Sequence, residues 1–418
     1  MTSKRCSKAK KLYLHMNQDK TDHNQKILRL LQSFDDENIA LAFQLCVGLK
    51  GNYNDEVRER LRHNLTKCIE YNLEQDWWQN LEGFHFSEND LDEMPHLVGK
   101  LTNLKRLSMN GAYITTIPSS WAKLTKLEDI FIGFSEIKEI PDFFGNFEQL
   151  NHLYLHLSGV ESIPEELGEL KNLTKLTLTQ NPLDYDQVIK IASRLPNLKE
   201  LDLRDNWLKT LPKETANFKC LEVLRLSGNK ELELANAFEV ISKIPTLKWL
   251  SLGDCNIKTL PDETALLHNI ENLHLIENTE MDLSVVFGQL GKLQNLTHLD
   301  IAYAEINHLP TEIGNLTSLR SFSAHENQIS MLPPEIGRLK NLTNLSISRN
   351  NIKTLPPEIA GLKNIEFINI RDNPIVSIPE EIKYLRKLMV IELYGDKMLE
   401  EHKEEIKQWL YFCDVNIL

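Results

Sequence analysis

Histidines and carboxylates are the first residues in this sequence that could do chemistry. Six of the 13 histidines fall on the exposed positions of short predicted strands. These are His85, His152, His156, His274, His298 and His325. His274 lies one predicted strand from Asp300 and close to His298, but a metal site needs three or four ligands at about 2 Å from the ion. The pattern therefore favours solvated surface histidines, and it predicts no metal and no cofactor.

Catalytic motifs offer a second kind of chemistry. The sequence contains none of GxxxxGK[ST], GxGxxG after a strand, HExxH or GxSxG. It also shows no cluster of a nucleophile with a base and an orienting residue. We therefore predict that the protein is not an enzyme, and a catalytic site built outside these motifs is the alternative.

An internal repeat supplies the elements that would position these residues. The stretch "NLTNLSISRNNIKTLPPEIAGL" (341–362) is followed 23 residues later by "NIEFINIRDNPIVSIPEEIKYL" (364–385). Both fit the template LxxLxLxxNxLxxLPxxIxxLxx. Units begin at 81, 104, 127, 150, 173, 198, 221, 247, 270, 296, 319, 342, 365 and 388. Self-similarity at such a period is typical of stacked repeat folds.

The template has a physical reading. "LxL" predicts a short strand whose alternate side chains turn inward, and the proline-bearing stretch returns on the outside, where a missing N–H does little harm. A single unit cannot bury its own leucines, so neighbouring units must stack. The sequence predicts an α/β solenoid with one parallel sheet. The inward positions are Leu107, Ile130, Leu153, Leu176, Leu201, Leu224, Leu250, Leu273, Leu299, Phe322, Leu345 and Ile368.

This repeat resembles that of the leucine-rich repeat family, and its LPxxIxxL ending is similar to the intracellular and bacterial subgroup. The resemblance covers roughly three quarters of the chain. It implies a horseshoe with a concave parallel sheet, and an asparagine amide that is buried and bonds the neighbouring turn. At that asparagine position Ser135, Ser158 and Cys255 retain a hydrogen-bond donor.

Three longer units, which start at Leu173, Leu221 and Ile270, lack the Leu-Pro step. Their apolar spacing predicts helices near 187–194, 235–242 and 283–290 on the convex side. Extended returns are predicted at Leu-Pro units such as Leu211–Pro212 and Leu355–Pro356. Because a helix is thicker than an extended return, the arc should curve more tightly over 173–296.

The ends of the stack need covers. We predict a disordered basic tail at 1–23, a helical N-terminal cap at 24–80, repeats at 81–396 and a C-terminal cap at 397–418. Within the first cap, helices are predicted at 24–34, 35–48 and 54–73, and the second cap should end in a strand at 413–418. The alternative for the N-terminal helices is an independent interaction or dimerisation domain.

Composition limits the classes of partner and compartment. The formal net charge of −13 disfavours a nucleic-acid partner. The sequence contains no apolar stretch of 18 residues, so we predict no membrane span. The 6 cysteines are scattered without CxxC pairs, which favours a reducing cytoplasm.

The outward positions of the strands carry residue types that dominate binding energy at interfaces. The predicted partner-binding residues are Phe131, Phe134, His152, Tyr154, His156, Arg204, Arg225 and Trp249. Phe131 and Tyr154 fall in one column of neighbouring strands, whereas Lys175 with Glu200 and Asp202 with Arg225 are also readable as cross-strand ion pairs. We predict a non-enzymatic protein–protein recognition scaffold that binds a protein on its concave face. The alternative is an acidic inhibitor that wraps a basic enzyme.

Overall fold

A computed structural model describes residues 20–33, 35–87, 94–110, 115–393, 400–411 and 413–417. Most of the predicted basic tail at 1–23 lies outside these residues. The chain divides into two compact units. The first consists of Met1–Ile137 and Asn146–Leu150, and the second of Lys138–Gly145 and Asn151–Leu418.

Short helices begin the first unit. They are α1 (Lys20–Leu31), α2 (Asp36–Leu49), α3 (Asp55–Arg62), α4 (Leu65–Glu70), α5 (Gln75–Trp78) and α6 (Met94–Val98). The single helix predicted at 54–73 is wrong, because α3 ends at Arg62 and α4 begins only after Asn64. Asparagine competes with the backbone for hydrogen bonds and favours helix ends over helix interiors. Helix α1 also includes Lys20–His23, which the sequence assigned to the tail.

A buried carboxylate ties this helical segment together. The Glu74 side chain is only 7% exposed and faces two arginines. It accepts hydrogen bonds from Tyr53 Oη at 2.9 Å and Arg62 Nη2 at 3.1 Å, and it pairs with Arg58 Nε at 3.5 Å. A buried charge is tolerated only when it is paired and hydrogen-bonded in this way.

Parallel strands in chain order make up the sheet of each unit. The first unit contains β1 (Gly83–Ser87), β2 (Arg106–Asn110) and β3 (Asp129–Gly133). The second contains β4 (His152–His156), β5 (Lys175–Thr179), β6 (Glu200–Asp202), β7 (Val223–Arg225), β8 (Trp249–Ser251), β9 (Asn272–His274), β10 (His298–Asp300), β11 (Ser321–Ser323), β12 (Asn344–Ser346), β13 (Phe367–Asn369), β14 (Val390–Leu393) and β15 (Asp414–Ile417). The predicted α/β solenoid with a parallel sheet is confirmed.

The predicted register of the repeats is also confirmed. Every one of the twelve predicted inward residues is at most 2% exposed. Equivalent residues face one another on adjacent strands, for example Leu107 with Ile130 and Leu345 with Ile368. A slip by one residue would have turned each of these side chains to solvent.

Buried asparagines join each repeat to the one before it. Asn229 Oδ1 accepts hydrogen bonds from the main-chain N–H groups of Asn206 at 3.1 Å and Leu208 at 2.9 Å. Its Nδ2 donates to the carbonyls of Leu203 at 3.0 Å and Leu226 at 2.7 Å. The amides of Asn181, Asn278, Asn327, Asn350 and Asn373 bond main-chain groups of the preceding repeat in similar ways. The amide bonding implied by the resemblance is confirmed.

Two of the substituted asparagine positions keep the predicted donor. Ser158 Oγ donates to the carbonyl of His156 at 3.1 Å, and Cys255 Sγ donates to that of Gly253 at 3.3 Å.

The long units carry the predicted helices, namely α7 (Tyr185–Ala192), α8 (Leu234–Ile241) and α9 (Leu283–Leu290). The Leu-Pro returns differ from the prediction, because extended backbone at Pro212 and Pro356 is followed by five-residue 3₁₀ turns, Lys213–Asn217 and Pro357–Gly361. In these turns main-chain bonds such as Ile359 N–H to the Pro356 carbonyl satisfy polar groups next to the core. The difference in curvature stays a prediction.

The chain ends in α10 (Glu400–Trp409) and β15. Strand β15 pairs in parallel with β14, so the strand predicted at 413–418 is confirmed. The imidazole of His402 accepts a hydrogen bond from the Ile378 N–H at 3.0 Å, which fixes α10 to the last repeats.

Among the helices that the structure describes, none combines the length and apolar character that crossing a bilayer requires.

Candidate recognition surface

In each unit, the side chains that alternate with the buried strand positions form what we call the outer sheet face. All eight predicted partner-binding residues lie on this face or in the turn that follows it. The structure gives them different surroundings, and they do not form one uniform site.

In the first unit, Phe131 lies half-buried on β3 and Phe134 follows the strand. The Phe131 ring covers Gly133, where an added Cβ would lie 2.9 Å from Phe131 Cε1. Phe134 is 50% exposed and has φ of 50°. The first unit therefore offers one aromatic ring that lies along its strand and one that meets solvent.

In the second unit, His152, Tyr154 and His156 lie on the outer face of β4. The ring centroids of His152 and Tyr154 are 6.1 Å apart, and His156 Nδ1 lies 2.7 Å from Thr179 Oγ1. All three are half-buried. The predicted apposition of Phe131 and Tyr154 involves both units and stays a prediction.

Glu200 is the centre of an ion-pair network on β5–β7. Its carboxylate pairs with Lys175 Nζ at 2.9 Å and with Arg225 Nη1 at 3.4 Å. Burial alone would raise the pKa of Glu200, but the hydrogen bonds and charges of Lys175 and Arg225 outweigh it and lower that pKa. The Lys175–Glu200 pair is as predicted.

The predicted pair of Asp202 and Arg225 is wrong, although the two residues are register partners. Asp202 instead holds Arg204 of its own repeat, with Nε to Oδ1 at 2.9 Å and Nη2 to Oδ2 at 2.8 Å. A carboxylate two residues away can accept two parallel hydrogen bonds from the guanidinium group. This bidentate pair is stronger than a pair joined by a single hydrogen bond. Arg204 and Arg225 are thus already neutralised by carboxylates on the same face.

Trp249 and His274 form a stacked pair on β8 and β9. Their ring centroids are 4.8 Å apart and their planes differ by 5°. His274 Nδ1 lies 3.9 Å from Asp300 Oδ2. Burial lowers the pKa of His274, and nearby Arg225 and His298 add to this effect against the opposing charge of Asp300. The stack therefore presents a neutral imidazole and an indole at neutral pH.

Sequence reasoning missed a column of residues in the left-handed region of backbone conformation. In ten successive repeats of the second unit, the residue before the asparagine position has φ between 45° and 76°. We call these residues the left-handed column: Leu157, Gln180, Asp205, Gly228, Asp254, Glu277, Tyr303, Glu326, Arg349 and Asp372. Residues other than glycine rarely adopt this conformation, which costs roughly 1–2 kcal/mol each. The residue types give no common signal of this conformation, since five of the ten are acidic and the others are leucine, glutamine, glycine, tyrosine and arginine.

The left-handed column is rich in charge and exposed at several points. Arg349 pairs with Glu326 on one side and, through Nε at 3.4 Å, with Asp372 on the other. Tyr303 is 47% exposed, and its ring meets His325 edge-on at 5.3 Å.

Within the described part of the chain, no group of three or more histidine, cysteine, aspartate or glutamate side chains could hold a metal ion.

Three segments of the chain match families of leucine-rich repeats. Residues 81–210 match "Leucine-rich repeat region", residues 196–238 match "Leucine Rich repeats (2 copies)" and residues 325–375 match "Leucine rich repeat". Among curated proteins, none matches the chain significantly in sequence.

Solved structures are similar to this chain over most of its length. A leucine-rich repeat protein of Leptospira interrogans is 28% identical with a TM-score of 0.59, and the match covers 84% of this chain and 91% of that one. The glycosylated Toll–Spatzle complex of Drosophila is 19% identical with a TM-score of 0.58, and the match covers 76% of this chain and 43% of that one. The TLR13–ssRNA13 complex is 18% identical with a TM-score of 0.51, and the match covers 78% of this chain and 57% of that one. The last two similarities concern the fold alone.

Proposed function

The chain belongs to the leucine-rich repeat proteins, and on that premise we propose that it is a non-enzymatic scaffold. It recognises a protein partner through the outer sheet face, which is the concave face of the predicted horseshoe. The proposed contact residues are the eight predicted from the sequence: Phe131, Phe134, His152, Tyr154, His156, Arg204, Arg225 and Trp249.

One observation carries this proposal. The outer sheet face presents aromatic and charged side chains that the packing of the repeats does not require. The core between the repeats is filled by the inward residues that alternate with them. Neighbouring strands hold these side chains at fixed spacings of about 4.8 Å. Binding to such a face loses little conformational freedom in the scaffold, which favours affinity.

Charge favours a protein partner over a nucleic acid. Structures with the same fold include a complex with the protein Spatzle and a complex with single-stranded RNA, so the fold leaves the class of partner open. A net charge of −13 repels a phosphate backbone. The alternative of an acidic inhibitor that wraps a basic enzyme rests on the same charge, and it requires that binding blocks the activity of the partner.

We propose the reducing cytoplasm as its compartment. Among the described residues, Cys46, Cys68, Cys220 and Cys255 carry free thiols, and all of these except Cys220 are buried. Free buried thiols are typical of proteins that are not exposed to oxidising conditions.

The proposal is tested by capture of the partner from the native cell, followed by mass spectrometry. We expect Phe131→Ala with Tyr154→Ala, and separately Arg225→Ala with Trp249→Ala, to reduce recovery of one protein at least about tenfold, which corresponds to about 1.4 kcal/mol. A variant with Ser321→Ala and Ser346→Ala, on the polar outer face of β11 and β12, serves as the control. Undiminished recovery with both aromatic and arginine variants would remove the outer sheet face from the proposal.

A further inference from the structure

We infer that the C-terminal helix α10 is a pH-sensitive cover of the last repeats, which His402 holds in place at neutral pH and releases when its imidazole takes up a proton. The hydrogen bond between His402 and the main chain of Ile378 is the contact that responds to the proton. This device does not depend on which partner the outer sheet face binds.

The imidazole of His402 joins α10 to the chain just before the 3₁₀ turn Glu380–Tyr384. Its Nε2 accepts the hydrogen bond from the Ile378 N–H at 3.0 Å, and its Nδ1 lies 3.1 Å from Glu405 Oε2. An imidazole nitrogen accepts a hydrogen bond only while it carries no proton, so this bond requires an unprotonated Nε2. Nδ1 then carries the N–H and donates to the Glu405 carboxylate. The docked helix therefore contains a neutral His402.

An earlier repeat builds the same contact from a side chain that does not titrate. The main-chain N–H of Leu211 donates to Asn236 Oδ1 of α8 at 2.8 Å. Leu211 and Ile378 each stand directly before the proline of their repeat, and both are buried. A buried main-chain N–H needs an acceptor. His402 supplies at α10 the acceptor that Asn236 supplies at α8, and only the histidine can lose it by protonation.

Protonation of His402 reverses the role of Nε2. The new N–H points at the Ile378 N–H, so the hydrogen bond is lost and two donors face each other. A loosened α10 can bind this proton freely, whereas the docked helix binds it only at the cost of the bond. Falling pH therefore favours the loosened state. The contribution of this contact to docking is present at neutral pH and is lost over the range of about pH 8 to pH 5 in which histidine ordinarily gains its charge.

The charged groups around His402 leave this response in place. Glu405 attracts an imidazolium, but its side chain is 57% exposed, and an exposed ion pair contributes little. Lys403 and Lys407 form ion pairs with glutamates of α10 itself. The ionisable residues of the 3₁₀ turn packed against α10 are Glu380, Glu381, Lys383 and Tyr384. Within that turn Glu380 pairs with Lys383.

Histidine is also the residue type that separates this response from the titration of carboxylates. His402 is the only histidine of the segment Glu400–Trp409. Glutamate side chains ordinarily titrate at about pH 4, well below the range in which histidine does. Between neutral pH and about pH 5.5, the change of charge in this helix is therefore that of His402.

Release of α10 changes the end of the second unit. Ile406 and Leu410 are fully buried, and so is Ile382 of the turn against which the helix packs. The exposed side chains of α10 are mostly charged. Acidification thus replaces a charged cover by an apolar surface at the last repeats.

Hydrogen–deuterium exchange of the full chain, read by mass spectrometry near pH 7.5 and near pH 5.5, tests this device. The protection of α10 is corrected for the intrinsic pH dependence of exchange and compared with that of α8 in the same molecule. We expect α10 to lose at least about tenfold of its protection at the lower pH, while α8, held by Asn236, changes by less than about twofold. Equal protection of α10 at both pH values would overturn the inference.

Substitutions identify the group that takes up the proton. His402→Gln keeps an amide oxygen at about the reach of Nε2 and has no charge to gain, so the difference between the two pH values should vanish. Glu405→Gln removes the neighbouring carboxylate and should keep that difference, as should His268→Gln at an exposed histidine outside α10. A His402→Gln variant that still loses protection at the lower pH would overturn the inference. So would a Glu405→Gln variant without the loss, because the proton would then belong to the carboxylate.

Discussion

The indole of Trp249 and the imidazole of His274 lie in parallel planes 4.8 Å apart on neighbouring strands, next to Asp300. Because burial lowers the pKa of His274 below that of a free imidazole, the unfolded chain binds a proton at this residue more readily than the folded chain does. The neutral His274 therefore stabilises the folded state fully at a pH above its pKa in the unfolded chain. This contribution to the free energy of unfolding is lost as the pH falls from there toward its pKa in the folded chain.

The first prediction follows from this stack. Urea unfolding should show a smaller free energy of unfolding near pH 5.5 than near pH 7.5, and His274→Gln should remove part of that difference. His308→Gln, at an exposed histidine, is the matched control and should leave the difference unchanged. A His274→Gln variant with the same pH dependence as the wild type would contradict the assignment.

The second prediction concerns the asparagine that joins two repeats. Asn229→Ala removes four hydrogen bonds to buried main-chain groups, so it should lower the free energy of unfolding by roughly 3–5 kcal/mol. Asn217→Ala, at an exposed position of a 3₁₀ turn, should change it by less than about 0.5 kcal/mol. Chemical denaturation of both variants checks this, and equal effects would disprove the structural role of Asn229.

The third prediction sets two glycines against each other. A Cβ at Gly337 would lie 2.2 Å from the carbonyl oxygen of Glu358, so Gly337→Ala must push neighbouring 3₁₀ turns apart. Gly288 lies in α9 with nothing within 4 Å of an added Cβ. Gly288→Ala should therefore raise stability by about 0.5–1 kcal/mol, while Gly337→Ala lowers it. Thermal melts give both signs, and a stabilising Gly337→Ala would refute the close approach.

The fourth prediction concerns thiol reactivity in the first unit. Burial, with a further contribution from Glu74, raises the pKa of Cys46 and of Cys68 to about 12. Since the thiolate is the nucleophile, both should resist iodoacetamide at pH 8 while half-buried Cys220 reacts. Alkylation followed by peptide mapping measures this.

A variant of the same experiment tests the role of Glu74. Glu74→Ala removes the buried carboxylate that Tyr53, Arg58 and Arg62 share. Because both arginine side chains are 37% exposed and can be solvated, the substitution should destabilise the helical segment by roughly 1–3 kcal/mol. Cys46 and Cys68 should then become reactive, whereas exposed Glu59→Ala should leave them protected. Rapid alkylation of Cys46 in the unmutated protein would contradict both predictions.

The sequence predicts the core of this fold well because burial depends on position alone. Once Leu345 and Ile368 are aligned in the repeat, every equivalent residue must share their environment. The helices of the long units follow for the same reason, since Val188 and Ile191 keep the spacing of one helix face. The 3₁₀ turns after Pro212 and Pro356 are harder to foresee, because a five-residue turn leaves too short an apolar pattern to distinguish it from extended chain.

The outer sheet face is predictable in register but not in its contacts. Which residues are neighbours follows from the repeat, yet the choice of Arg204 over Arg225 by Asp202 depends on side-chain rotamers. The left-handed column is hidden for another reason. Glutamate, tyrosine and leucine seldom adopt positive φ, so residue types at Glu277, Tyr303 and Leu157 give no sign of it.

The buried asparagines also decide how the second unit would respond to a pulling force. Each amide bonds its own repeat to the one before it, so the links run in series along the stack. A tension applied at the C-terminal end would load the last link first, and each broken link would release one repeat. A released repeat of 23 residues extends by up to about 80 Å. The unit should therefore unfold one repeat at a time under force, and its length should increase in discrete steps.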